Sequence, residues 1–287
     1  MSDPDTSKPN AARIYDYWLG GTDNYPADRA AGEAVRRFRP DISELAVENK
    51  QFLTRAVSYL ARQGVRQFLD VGAGLPTSPA GAPGAAPRWR ATHEAAQAVI
   101  PGALVCYVDI DPIAVEHSRA LLARDPGPGA AGRVVAVQGD MRDPRGVLSR
   151  PDLAAAGFRG DEPVGLILGS VLHFVEFAVA QAVATGFTGA LAPGSYVVLS
   201  VGRGDDEVGD GFADTYNAQR GSQVYNFSLE QVAALFSGLD LVPPGIVPAP
   251  RWRPEPPGSG PATDRAATIL AGVGRRRAGP PPRRPGA

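Results

Sequence analysis

An aspartate followed by two closely spaced glycines, Asp70-Val71-Gly72-Ala73-Gly74, ends the apolar run QFLDVGAG, and here the 287-residue sequence first shows groups able to do chemistry. A strand that turns over two glycines lets a ligand approach backbone that a Cβ would obstruct. The pattern gains meaning from the next two apolar runs. LVCYVDIDP ends in Asp109 and Asp111, where an acidic side chain can accept both ribose hydroxyl protons of a nucleoside. RVVAVQGDM ends in Gly139-Asp140-Met141, where a carboxylate can accept from an adenine amino group while Met141 packs on the ring face. Phosphates would find little to hold them. The third glycine position of a dinucleotide fingerprint is Thr77, preceded by Pro76, no phosphate-binding G-x-x-x-x-G-K-[ST] motif is present, and no lysine lies near the loop. A cofactor with an adenosine end and no phosphates fits better than a dinucleotide.

These groups need a frame to carry them. Strands are expected at VRQFL, LVCYV, RVVAV, PVGLIL and SYVVLSV, near-continuous apolar runs of the kind buried on both faces. Helices are expected between them at residues 92–100, 112–124 and 176–191, with a short turn near Val147. Strand and helix alternating in this way predict a parallel sheet with right-handed crossovers and helices on both faces. Ahead of the first strand, three helices are expected at 11–19, 27–38 and from Asp41 to a stop at Gly64, with Asp41 as cap and Glu44 three residues on. After the fifth strand, residues 202–221 read as an acidic, glycine-rich loop. SLEQVAALF starts with a Ser228/Gln231 capping box, and LDLVPPGIV and ATILAGVGR read as two closing strands in an antiparallel hairpin. The fold class expected is α/β, a doubly wound, mostly parallel seven-stranded Rossmann-like sheet with an N-terminal helical extension and a C-terminal antiparallel hairpin.

Composition narrows the partners. The net charge of −1 gives no long-range field to draw nucleic acid or an anionic membrane. Cys106 is the only cysteine and lies in an apolar run, which points to a buried thiol and a cytoplasmic location. No window approaches the ~20 apolar residues that span a bilayer. Three dispersed histidines and one cysteine offer no metal cluster. The runs 78–90 and 277–287, rich in proline and glycine, read as a flexible insertion and a disordered tail, and residues 1–10 as a loose terminus.

The motifs ARIYDYWLGGTDNYPADR, QFLDVGAGLPT, HEAAQAV, YVDIDP, GDMRDP, VLHFV, LAPGSYVVLS and GLDLVPPGIVPAPRWRP together resemble the actinobacterial S-adenosyl methyltransferase family of unknown substrate, within the class I S-adenosylmethionine-dependent superfamily. The resemblance implies S-adenosylmethionine at the C-terminal ends of the first four strands, S-adenosylhomocysteine as product, and a small-molecule acceptor. It implies Gly72 and Gly74 beside the methionine part, Asp109 on ribose, and Asp140 with Met141 around adenine; Asp70, Ile110 and Ser170 at the same strand ends complete that set. It also implies a methyltransferase domain over 65–276, with residues 11–64 as an extension or lid across the cofactor mouth. There Tyr15, Gly21, Asp23 and Asn24 could meet the amino-acid end or the acceptor. Asp23 or Asp16 could pair with the ammonium, and Arg13 or the amides of Gly21 and Thr22 could hold the carboxylate. His173, just after the fourth strand, stands where a general base would be useful, with packing between Leu172 and Phe174 as its other reading. Where the family often carries histidine after the fifth strand, this chain has Ser200-Val201. A non-catalytic binder of the cofactor or its product, and a nicotinamide-dependent oxidoreductase, are the alternatives.

Overall fold

The computed structural model describes residues 6–75, 77, 88–124, 134–204, 207–219, 223–255 and 269–277. The chain opens with α1 (Ala11–Trp18), α2 (Pro26–Phe38) and α3 (Ile42–Arg62). Asn10 caps α1, its side-chain oxygen accepting from Ala12 N and Arg13 N at 2.9 and 3.3 Å. Gly20, in the left-handed region at φ +79°, lets the chain leave the helix. Asp41 does not cap α3 as its spacing predicts, because Arg39 Nε takes its carboxylate at 2.6 Å. Of the terminus expected to be loose, residues 1–5 lie outside the described residues. Asn10 and the carbonyl of Lys8 are tied down by Asp28 and Arg13. The insertion is described only from residue 88, and of the tail only residue 277 is described.

The sheet is built from β1 (Gln67–Val71), β2 (Leu104–Asp109), β3 (Val134–Gln138), β4 (Val164–Gly169), β5 (Tyr196–Gly202), β6 (Leu239–Leu241), β7 (Val247–Pro248) and β8 (Ile269–Arg276). Its order is β3-β2-β1-β4-β5-β8-β6, with β7 on β8. The first five strands are parallel and β8 runs antiparallel to β5, β6 and β7. The two-residue β7 is the eighth strand beyond the seven expected. Because β1 pairs with both β2 and β4, the strand order reverses there, and a crevice opens above the carboxyl ends of the strands at that switch point.

Successive strand residues alternate between the two faces, and each face has its own helical layer. On one side α3 and α4 (Thr92–Gln97) bury Phe52, Ala56, Leu60 and Ala95 against Phe68, Val105 and Ile167. On the other, α6 (Pro144–Leu148), α7 (Pro151–Ala155), α8 (Phe177–Ala190) and α10 (Leu229–Ala234) pack Val147, Leu153, Phe187 and Val232 on Leu69, Cys106 and Leu166. α5 (Pro112–Arg124) connects β2 towards β3. The expected helical extension therefore divides. α3 is a layer of the sheet, whereas α1 and α2 form a third cluster with α9 (Glu207–Asn217) through Ile14, Trp18, Val35 and Tyr216. α9 replaces the loop expected over 202–221. Its Phe212 and Tyr216, one turn apart, supply an apolar face that the surrounding glycines and acids obscure in sequence.

Asp28 holds the N-terminal cluster together. Fully buried, it accepts from Asn10 N, Arg13 Nε and Tyr25 N at 2.9, 2.7 and 2.9 Å. Replacing it strands a buried guanidinium, so Asp28→Ala is expected to lower unfolding free energy by about 3 kcal/mol or more in denaturant titration, with Arg13→Met, Asp28→Leu recovering part of the loss. Wild-type stability in the single variant would contradict this.

Candidate functional site

A cavity of about 470 Å³ lies above the carboxyl ends of the parallel strands, within the ~300–1,000 Å³ usual for small-molecule sites. The sheet order sorts its lining. Ile110, Asp140 and Met141 stand at the β2 and β3 ends, the Gly72–Leu75 loop and Ser170 at the β1 and β4 ends, and His173, Phe174, Gly202 and Arg203 beyond β4 and β5. Helices α1, α3 and α9 close the space with Tyr15, Trp18, Asn49, Lys50, Phe212 and Tyr216.

The glycine loop is shaped by its backbone. Gly72 and Gly74 have φ of +69° and +61°, and a Cβ on Gly72 would run into the Val171 side chain. Asp109 fixes the loop from β2, its carboxylate accepting from Gly74 N at 2.8 Å and from Asp111 N at 2.9 Å. Burial pushes its pKa up while these amides pull it down. Asp111 accepts from Ile113 N at 2.9 Å and from the Asn10 amide at 2.8 Å, which ties the N-terminal segment to β2. Ile110 is 54% exposed at the cavity mouth, a large apolar side chain with water where a ligand face would fit. Opposite it Met141 is half-buried, and the Arg142 guanidinium, bonded to both oxygens of Asp140 at 2.6–2.9 Å, holds that carboxyl below its ordinary range.

Ser170 carries the chain out of β4 at φ +51°, a conformation costing a non-glycine residue about 1 kcal/mol. Its amide donates to the Ser200 carbonyl at 2.9 Å, lies 3.0 Å from Ser200 Oγ, and its hydroxyl accepts from Asn49 Nδ2 at 3.0 Å. Ser200, which lies within β5 and not after it, thus braces a strained turn. Asn49 also reaches the Tyr15 hydroxyl, at 3.0 Å, so α1, α3 and β4 meet at one amide. Lys50 follows, with Nζ 5.7 Å from the Tyr15 ring centroid and no hydrogen bond to a described residue. Burial lowers its pKa, opposed by Asp70 and Asp16.

Of the residues singled out in the sequence, Tyr15, Gly72, Gly74, Asp109, Ile110, Asp140, Met141, Ser170 and His173 line this cavity. Arg13, Gly21, Asp23, Asn24 and Asp70 do not. Arg13 is turned to Asp28 and the Lys8 carbonyl. Gly21 packs so closely on the Asp16 carboxylate that a Cβ would overlap it. Asp23 Oδ2 lies 3.1 Å from His117 Nε2, without good hydrogen-bond alignment. Asn24 donates to Asp16 and accepts from Arg29. Asp70 accepts from Thr92 Oγ1 at 2.6 Å, and burial raises its pKa. Asp16 lines the cavity, but Thr77 Oγ1, Asp23 N and Asn24 Nδ2 already donate to it at 2.8–2.9 Å. Asn49 and Lys50 were not singled out, because the apolar period of α3 shows which residues are buried and not which polar ones face the strand ends. Among the described residues no group of three or more His, Cys, Asp or Glu is arranged for a metal.

A family model described as S-adenosyl methyltransferase matches residues 1–277. The chain belongs to the S-adenosyl methyltransferase family. It is an S-adenosylmethionine-dependent methyltransferase, with S-adenosylhomocysteine as product. The solved structures agree. A methyltransferase candidate from Thermobifida fusca is 35% identical, with TM-score 0.83 over 97% of this chain and 100% of that one. A DUF574 family protein from Streptomyces avermitilis is 34% identical, with TM-score 0.83 over 95% and 99%. The magnesium protoporphyrin IX methyltransferase of Synechocystis, solved with bound S-adenosylhomocysteine, shares the fold at 14% identity and TM-score 0.52, over 92% and 93%. No curated protein matches the chain. The family assignment leaves the oxidoreductase alternative without support, and the site agrees: Thr77, at the third glycine position, is spent on Asp16, and the next described helix starts only at Thr92.

His173 sits on a single helical turn, Leu172–Phe174. Gly202 N–H donates to its Nδ1 at 3.4 Å, so the neutral ring carries its proton on Nε2, and burial pushes its pKa down to about 4. A depressed histidine pKa favours the folded state fully above the unfolded value and loses that contribution as pH falls through about 6.5 towards 4. Compared with His173→Gln, the wild type is therefore expected to lose more melting temperature between pH 7 and pH 4.5. Parallel pH curves would show that the ring is freely solvated.

Proposed function

We propose that this methyltransferase acts on a small molecule bound between the β4–β5 ends and helices α1 and α9, with the cofactor along the β1–β3 ends. The cavity carries this reading, since it continues from the glycine loop to the aromatic side chains Trp18, Phe174, Phe212 and Tyr216. The residues present fit the cofactor: a cradle at Gly72 that a Cβ would fill, a carboxylate on β2 and an exposed apolar side chain beside it. Asp109 would hold the ribose hydroxyls, with Ile110 and Met141 on the two faces of the adenine and Asp140 near its amino group. Lys50, which has no ion pair with a described residue, would hold the α-carboxylate, the role the sequence offered to Arg13. The bound cofactor supplies a methyl group on a sulfonium, so the protein has chiefly to align an acceptor and keep water out. Residues 11–24 would wall the site through Tyr15, Asp16 and Trp18, and a cytoplasmic setting accords with the single buried cysteine, whose pKa burial raises to about 12.

Titration calorimetry tests the assignment. S-adenosylmethionine and S-adenosylhomocysteine are expected to bind and NAD not to. Asp109→Ala and Lys50→Met are expected to weaken both by about tenfold or more, the worth of a charge-assisted hydrogen bond. Wild-type affinity in both variants would remove these residues from the cofactor site.

A further inference from the structure

We infer that the side-chain carbonyl of Asn49 accepts from the α-ammonium of S-adenosylmethionine, so that Asn49 and Lys50, consecutive on α3, read the two charges of the cofactor's amino-acid end. This assignment rests on the cofactor site proposed above and adds to it a residue with a defined partner. The positions of the protons in one small network carry it.

Asn49 is 1% exposed and lines the cavity where α1, α3 and β4 meet. Its Nδ2 donates to the Tyr15 hydroxyl and to Ser170 Oγ, each at 3.0 Å. A tyrosine hydroxyl has one proton, and that of Tyr15 is directed to the Ala46 carbonyl at 3.1 Å. Burial pushes this hydroxyl well above its ordinary range, so it keeps the proton at neutral pH and meets Asn49 as an acceptor. The NH2 end of the amide is thereby fixed on Tyr15 and Ser170, with both N–H bonds used. Turning the amide over would leave two buried N–H donors wanting acceptors in place of one carbonyl wanting a donor. As it stands, Asn49 Oδ1 is buried without a hydrogen-bond partner among the described residues. The other described side-chain atoms in that condition, Gln97 Oε1, His117 Nε2, Arg150 Nε and Trp252 Nε1, belong to residues that do not line this cavity.

A buried acceptor of this kind calls for a donor from the ligand, and its surroundings say which. Consecutive helical residues point about 100° apart, and here both reach the Tyr15 side chain. Asn49 bonds its hydroxyl, and Lys50 Nζ lies 5.7 Å from its ring centroid. One aromatic side chain thus stands between a cation and an acceptor, an arrangement matched to a group that carries a carboxylate and an ammonium on the same carbon. The glycine loop is close by, since the Cβ that Gly72 lacks would meet Val171, the neighbour of Ser170. The nearby carboxylates have other work. Asp16 accepts from Thr77, Asp23 N and Asn24, and Asp70 accepts from Thr92 and does not line the cavity. An ammonium brings three N–H donors, of which the Asn49 carbonyl takes one, and a hydrogen bond from a charged donor is among the strong ones.

The test is calorimetry on the full-length protein with S-adenosylhomocysteine, its deaminated analogue, in which hydrogen replaces the ammonium, and its decarboxylated analogue. The wild type is expected to bind each analogue about tenfold or more weakly than S-adenosylhomocysteine, the worth of a charge-assisted hydrogen bond. Asn49→Ala is expected to weaken S-adenosylhomocysteine by about tenfold but the deaminated analogue by about threefold or less, so that the preference for the amino group is lost and the preference for the carboxylate stays. Lys50→Met is expected to do the reverse. Asn49→Asp, which keeps an acceptor oxygen at that place, is expected to keep the amino-group preference, and Asn49→Leu, closer in volume, replaces the alanine variant should that one not fold. A merely structural tie between α1, α3 and β4 would, when cut, weaken all three ligands alike. Equal weakening of S-adenosylhomocysteine and the deaminated analogue in Asn49→Ala, survival of the amino-group preference there, its loss in Asn49→Asp, a carboxylate preference unchanged in Lys50→Met, or equal binding of S-adenosylhomocysteine and the deaminated analogue by the wild type overturns the inference. Failure of the wild type to bind S-adenosylhomocysteine at all overturns the cofactor site as well, so the two failures are distinguishable.

Discussion

The carboxylate of Asp16 is the constraint on which this site depends. It is 1% exposed, and it gathers the Thr77 hydroxyl from the glycine loop together with Asp23 N and Asn24 Nδ2 from the turn after α1. A buried carboxylate is tolerable only when its oxygens are satisfied, so all three donors must be present at once. The consequence is geometric. The aromatic helix α1 is fixed against the strand-to-loop turn that ends β1, and Asn10, bonded to both Asp28 and Asp111, repeats the attachment at β2. The N-terminal helices thus form a wall of the cavity instead of an appendage to the sheet.

With that wall in place the cavity is polarised. The described carboxylates that line it, Asp16, Asp109, Asp111 and Asp140, lie by the glycine loop and the β2–β3 ends, where a cofactor carrying an ammonium and a sulfonium would gain from them. Among the described residues, the lining beyond β4 and β5 includes the rings of His173 and Phe174, with Arg203 following β5. Ser170 is held in the left-handed region between these halves by Ser200 and Asn49. Strain of this kind persists only where surrounding bonds over-determine it, and here it turns the chain sharply at the junction of the two halves.

Much of this was legible in the sequence, and the divisions have physical causes. The strand ends were readable because an apolar run that stops at an acid or a glycine marks where a buried strand leaves the core; Gly72, Gly74, Asp109, Asp140 and Met141 fall at the cavity for that reason. The polar residues of RIYDYWLGGTDN read ambiguously, since a hydrogen-bonding side chain near a ligand mouth can face the ligand or its own fold. Arg13 is consumed by Asp28 and Asn24 by Asp16, pairs that only tertiary structure creates. Lys50 and Asn49 were hidden in the helical period of α3, and α9 behind its glycines and acids. Asp41 shows the same limit at a helix end, where a neighbouring arginine outcompetes the cap.

The most direct measurement is hydrogen–deuterium exchange of the whole protein with and without S-adenosylhomocysteine. The structure predicts slower exchange on binding in two groups of segments: the strand ends at 70–77, 108–113 and 139–143, and the N-terminal segments 10–24 and 45–53. Protection confined to the strand ends, with 10–24 and 45–53 unchanged, would contradict the account by removing the N-terminal helices from the site.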